Sequence, residues 1–98
     1  MNTIRIAEQG SNLSSRSTGR QLRAQTEGLA GRDIVVLDFD GVRSVSHSFA
    51  DELLAVLVAA YGEEWFRGHI RIINHASSVR SVIIDAIQHR LDHPRAAA

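Results

Sequence analysis

Ninety-eight residues suffice for one compact domain with a single modest core, and a second domain is not expected. The absence of cysteine excludes a disulfide framework, a thiolate metal site and side-chain redox chemistry, and it makes a reducing cytoplasm the expected home. Eleven basic residues balance eleven acidic ones, so no global field draws in nucleic acid or an anionic membrane. All eleven bases are arginine, and without lysine neither Schiff-base chemistry nor the lysine of a phosphate-binding loop is available. The first residues lack the apolar segment of a signal peptide, and no later stretch approaches the ~20 apolar residues of a membrane span.

Taken in order, Thr3 to Ala7 alternates, with Ile4 and Ile6 on one side and Arg5 on the other. That pattern predicts a short edge strand with one solvated face. Gly10-Ser11-Asn12 ends it, and Ser14 or Ser15 is placed to cap a helix that runs to about Glu27 and stops at Gly28 or Gly31. Arg16, Arg20 and Arg23 fall on one face of this helix. The stripe reads either as a solvated face or as an anion- or partner-binding edge, and no aromatic residue is interleaved as single-stranded nucleic acid would favour.

Ile34-Val35-Val36-Leu37 shows no polar alternation, which predicts a strand inside the sheet, continuing to Phe39, with both faces covered. The next helix, Phe49 to about Tyr61, carries Phe49, Leu53, Val56, Leu57 and Ala60 along one stripe, and Leu54, Ala55, Val58 and Ala59 make its other side apolar too. Either other elements bury that second side, or it faces a partner chain, a second copy included. Ser48 stands three residues before Asp51, the spacing of a capping box, and Asp51 and Glu52 place negative charge in the first turn, where the helix dipole favours it.

Gly62 closes the helix, and residues 63 to 68 read as a loop whose Trp65 and Phe66 form a lid over the core. Ile70-Arg71-Ile72-Ile73 is a third strand. Ser77 or Ser78 then caps a last helix ending near Leu91, in which Val79, Val82, Ile83, Ala86 and Ile87 recur at helical spacing. His89 and His93 stand four apart, a spacing that can bind zinc with Asp92 as a third ligand; their place at a fraying end just before Pro94 favours solvated histidines instead. The domain is expected to span 1–93, with 94–98 a frayed tail.

Strands alternating with helices predict an α/β fold: a small mixed or parallel sheet with helices packed on it. Ligands and partners of such sheets gather at the carboxyl ends of the strands, where Asp38 to Ser48 and Asn74 to Ser78 lie.

Two resemblances attach to the central stretch. Ile34 to Val42, an apolar strand ending Asp38-Phe39-Asp40-Gly41-Val42, looks like the first motif of haloacid dehalogenase-like phosphatases. That resemblance implies Asp38 as a phosphoryl-accepting nucleophile and Asp40 as general acid and base beside magnesium, but the chain is short for that fold and lacks the late acidic pair. The broader resemblance, from about Leu13 to Arg90, is to a STAS-like family of unknown function. It is carried by Leu13-Ser14-Ser15-Arg16 with Gly19-Arg20, by Asp38-Phe39-Asp40-Gly41-Val42, and above all by Ser48-Phe49-Ala50-Asp51-Glu52-Leu53.

That family is similar to the anti-sigma-factor antagonists, in which a serine at the bend is phosphorylated by a histidine-kinase-like ATPase. Aligned strand to strand, that serine falls on His47, with Ser46 and Ser48 on either side. The resemblance implies a STAS-like fold and a non-enzymatic regulatory module read by another protein, possible partners being such an ATPase or a signalling complex. The residues expected to meet the partner or accept phosphate are Ser46, His47, Ser48, Asp51 and Glu52, with Asp38 and Asp40 supporting the loop. No cofactor or metal is expected. Two other readings stay open: the magnesium-dependent phosphatase, and a structural subunit that dimerises through the central helix.

Overall fold

The computed structural model describes residues 1–93, so the expected tail lies outside the described residues. Three strands, β1 (Asn2–Arg5), β3 (Val35–Asp38) and β5 (Ile70–Ile73), form a parallel sheet in the order β1-β3-β5. The apolar run places β3 in the middle, as expected, and the register sets Ile4, Leu37 and Ile72 side by side. Paired residues share a face of the sheet, so these three, with Val35 and Ile70, point into the core.

The opposite face corrects the expectation that both sides are covered. Thr3, Arg5, Arg71 and Ile73 are exposed there, and only Val36 is buried, between its register partners Thr3 and Arg71. Continuous apolarity in β3 therefore reflects its central position in the sheet, where flanking side chains shield Val36 without a second layer of helices.

β1 is shorter than its alternation predicts because the chain turns into a 3-10 turn over Ile6–Gln9, which buries Ile6 completely, and leaves through Gly10 at φ 131°. Two short strands that no periodicity announces, β2 (Asn12–Leu13) and β4 (Ser44–Val45), then pair in parallel as a second small sheet. Each leads directly into a helix.

Helix α1 (Arg16–Ala30) is capped by Ser15, whose side chain accepts from the Thr18 amide at 3.3 Å, and it ends at Gly31. Helix α2 (47–61) is one continuous rod with a wider turn inside it: His47–Ala50 is α-helical, Asp51–Ala55 is wound as a π-helix with the Val56 amide donating to the Asp51 carbonyl, and Val56–Tyr61 is α-helical again. Its apolar girdle is taken up within the chain. Leu53, Leu54, Ala55 and Leu57 are fully buried, with α1 and the last helix packed on the π segment, which leaves Val56 half-buried and Ala59, Ala60 and Tyr61 open at the far end. Gly19 permits the close approach of α1, since a Cβ there would stand 3.0 Å from the Phe49 carbonyl oxygen and 3.1 Å from the Glu52 Cβ.

Where a loop is expected the chain forms helix α3 (Glu63–His69), started afresh after Gly62 at φ 95°. The rings of Tyr61, Trp65 and His69 stack at 4.3 and 4.6 Å, and Trp65 and Phe66 pack on the core in the expected lid position. Helix α4 (Ser77–Asp92) buries Val79, Ile83 and Ala86. Its cap position is Ala76, without a side-chain bond, so neither Ser77 nor Ser78 serves as the cap; the left-handed Asn74 at φ 58° turns the chain early enough that both serines already lie inside the helix. Among the described residues no helix is long and apolar enough to cross a membrane.

Candidate functional site

The elbow between β4 and α2 begins where β4 ends on the Leu13 side of β2, with the Ser46 amide donating to the Leu13 carbonyl at 2.8 Å. Ser46 is extended at φ −84°, ψ 163°, the geometry of a helix cap, and its hydroxyl does two things. It accepts from the Phe49 amide at 3.0 Å and donates to the Ser14 carbonyl at 3.0 Å, tying the starts of α1 and α2 together. The cap is therefore Ser46, two residues earlier than the Ser48-to-Asp51 spacing suggests. Ser48 lies half-buried in the first turn, His47 is exposed beside it, and the Ser44 hydroxyl is bonded to Asn12.

Asp51 does not return to a cap amide, because its carboxylate is taken by arginines from two other helices. Arg90 of α4 grips it in a fork, Nε to Oδ1 at 2.7 Å and Nη2 to Oδ2 at 2.8 Å, and Arg16 of α1 adds a bond to Oδ2 at 2.9 Å. The residue is 4% exposed. Arg90's bonds hold the Asp51 carboxyl well below the usual carboxylate range, at about 2, while burial opposes the shift and Arg16 reinforces it.

Glu52 turns the other way, to α1. Arg23 donates to its carboxylate at 2.8 Å and, from the same nitrogen, to its backbone carbonyl at 2.8 Å; Arg16 lies at 3.2 Å and Arg20 at 3.8 Å. Burial disfavours the Glu52 charge, but the arginine bonds outweigh it and the carboxyl sits lower than usual. The arginine stripe is thus neither wholly solvated nor wholly free: its inner edge is spent on Asp51 and Glu52, while the side chains of Arg16 and Arg20 remain 44% and 60% exposed.

Arg90 is the member of this clasp that sequence reading missed. The available signal is its position four residues after Ala86, on the inward stripe of Val79, Ile83 and Ala86, where a buried guanidinium demands a carboxylate.

Over the elbow lies a polar cleft of about 290 Å³ bordered by His47, Asp51, His89 and His93. The His47 ring stands edge-on to His89 at 5.6 Å, and His89 stacks on His93 at 4.4 Å. Among the described residues no group of three histidine, aspartate or glutamate side chains is arranged to hold a metal ion.

Asp38 and Asp40 sit apart from this clasp, at the carboxyl end of β3. The Asp38 Oδ1 accepts from the Asn74 side chain and from the Asp40 amide, both at 3.0 Å, and these two bonds lower its pKa. Asp40 is exposed, and Gly41 turns the chain at φ 87°.

Among the described residues the architecture is a small α/β domain of parallel strands with four helices packed on them and a polar elbow between its second strand pair and its central helix. Residues 18–80 match the family described as STAS-like domain of unknown function (DUF4325), and the chain belongs to that family. The comparisons with curated proteins and with solved structures gave no match.

Proposed function

We propose that this domain works by binding rather than by catalysis, as a regulatory module whose elbow from Ser46 to Glu52 docks another protein. The observation that carries this reading is the frame around the elbow. Ser46 ties two helix starts together on one side, and the Asp51 and Glu52 clasp locks three helices on the other, so that His47 and Ser48 are presented from a rigid support. The STAS-like family is consistent with a regulatory module. The finer part of the proposal follows the resemblance to anti-sigma-factor antagonists: the partner is a histidine-kinase-like ATPase, and Ser48 is the hydroxyl available for phosphate, since that of Ser46 is committed to the cap.

The bonds that the Asp38 Oδ1 accepts from its own loop and from Asn74 support its reading as a loop residue, and the phosphatase reading is left to the assay. The test pairs the purified protein with the histidine-kinase-like ATPases of its own organism. A one-to-one complex by calorimetry, weakened at least about tenfold by His47→Glu, supports the proposal. Magnesium-dependent hydrolysis of a phosphate ester, abolished by Asp38→Asn, overturns it.

A further inference from the structure

The polar cleft over the elbow does not end there. A second, shallower depression of about 450 Å³ adjoins it along α2, the two sharing Glu52 and Arg90, and together they form a groove between the arginine stripe of α1 and the end of α4. From His47 to Ala60 the helix beneath it rises about 20 Å. We infer that this groove is the seat of an acidic segment of a partner protein, an inference that rests on the elbow being a docking surface and extends it.

Charge is the first argument. Among the described residues, Arg16, Arg20, Arg23 and Arg90 border the groove against two carboxylates, Asp51 and Glu52, with Glu27 behind Arg23 at 3.8 Å, so positive charge is in excess there in a chain whose total is zero. Two of the bases also stand well above the acids. The side chains of Asp51 and Glu52 are 6% and 13% exposed, whereas those of Arg16 and Arg20 are 44% and 60% exposed, so an incoming segment meets guanidinium groups first. The imidazoles of His47, His89 and His93 line the elbow end and add hydrogen-bonding edges there.

The floor is the second argument, because it selects protein over other polyanions. Beyond Glu52 it consists of Val56, Ala59 and Ala60, small apolar residues that leave room for an apolar side chain. Among the described residues no tryptophan, tyrosine or phenylalanine lines either part of the groove, so nucleic acid would find no ring of that kind on which to stack its bases. A membrane surface would ride over a recessed groove, whereas a single protein segment fits into it and offers carboxylates to the planar forks of Arg16 and Arg20.

The experiment uses a fluorescein-labelled peptide of about 14 residues, long enough to span the groove as a helix, with glutamate on one face and leucine and alanine on the other. A lysine version of the same peptide, a thymidine oligonucleotide and phosphatidylglycerol vesicles serve as comparators. The acidic peptide is expected to bind saturably and the lysine peptide not at all. Arg20→Glu and Ala60→Glu, both at exposed positions, are each expected to weaken binding about tenfold; Ala60→Glu should leave the thermal midpoint unchanged, and Arg20→Glu, which sets a carboxylate near Glu52, should lower it while the protein stays folded. The inference is overturned if the acidic peptide fails to bind, if neither substitution matters, or if the oligonucleotide or the vesicles bind as tightly.

The two readings fail separately. An ATPase complex that is lost with His47→Glu but indifferent to Arg20→Glu and Ala60→Glu removes the groove and keeps the elbow, whereas absence of any complex removes the docking reading itself.

Discussion

Two pairs of carboxylates stand apart in this chain, Asp38 with Asp40 at the end of β3 and Asp51 with Glu52 inside α2, and the fold uses them in opposite ways. The first pair has the spacing of a phosphoryl-transfer motif, yet Asp38 holds its own loop and Asn74, and Asp40 faces solvent. The second pair looks like ordinary helix-start acids, yet it joins α1, α2 and α4 through four arginines. What separates them is the availability of opposite charge from distant elements. A carboxylate's role follows from which guanidinium groups the topology delivers to it, and spacing along the chain carries little of that information.

The largest way to break the contrast is Asp51→Ala, which strands the Arg90 guanidinium in a mostly buried position beside Arg16. It should cost about 3 kcal/mol in urea denaturation, toward the low end for a broken buried pair because Arg16 is partly solvated. A smaller effect is expected on acidification. The Asp51 carboxyl is depressed to about 2, so its contribution is fully present above the ordinary aspartate value and is lost as pH falls from about 4 towards 2. That contribution is about 2 kcal/mol, and Asp51→Asn should flatten the corresponding limb of the stability curve against pH. The smallest effect belongs to Asp38→Asn, which should lower the unfolding midpoint only slightly, because the amide oxygen can still accept from Asn74 and from the Asp40 amide. A cost matching that of Asp51→Ala would erase the distinction between the two pairs.

Much of the scaffold was legible from sequence because its signals are local. The apolar run of β3, the alternation in β1 and the helical recurrence of Val79, Ile83 and Ala86 each need only a few neighbouring residues to be read. Helix α3 was hidden by Gly62, Gly68 and two adjacent glutamates that resemble loop punctuation, although Tyr61, Trp65 and His69 at intervals of four were a helical sign. β2 and β4 are two residues long each and carry no period at all.

Of the site, the elbow residues were legible through the string from Ser48 to Leu53. Their partners were not. Ser46 replaces Ser48 as the cap because β4 pairing ends at Val45 and fixes where the helix can begin. The clasp joins residues up to 39 apart in the chain, a distance over which no repeat or spacing rule operates.

The wide turn over Asp51–Ala55 has one more implication. A π-helical turn holds a residue more than an α-helical one, so α2 carries a spare residue at the point where its two acids part company, Asp51 towards α4 and Glu52 towards α1. A deletion of one residue there would let the rod wind regularly and keep both ends helical. The stretch downstream would keep its facing, with Leu57 and Val58 still buried and Ala59 and Ala60 still beside the arginines, because the wide turn takes up the extra residue locally. The spare residue therefore governs how the two acids are shared between α4 and α1, and removing it would disturb that division while leaving the rest of the rod in place.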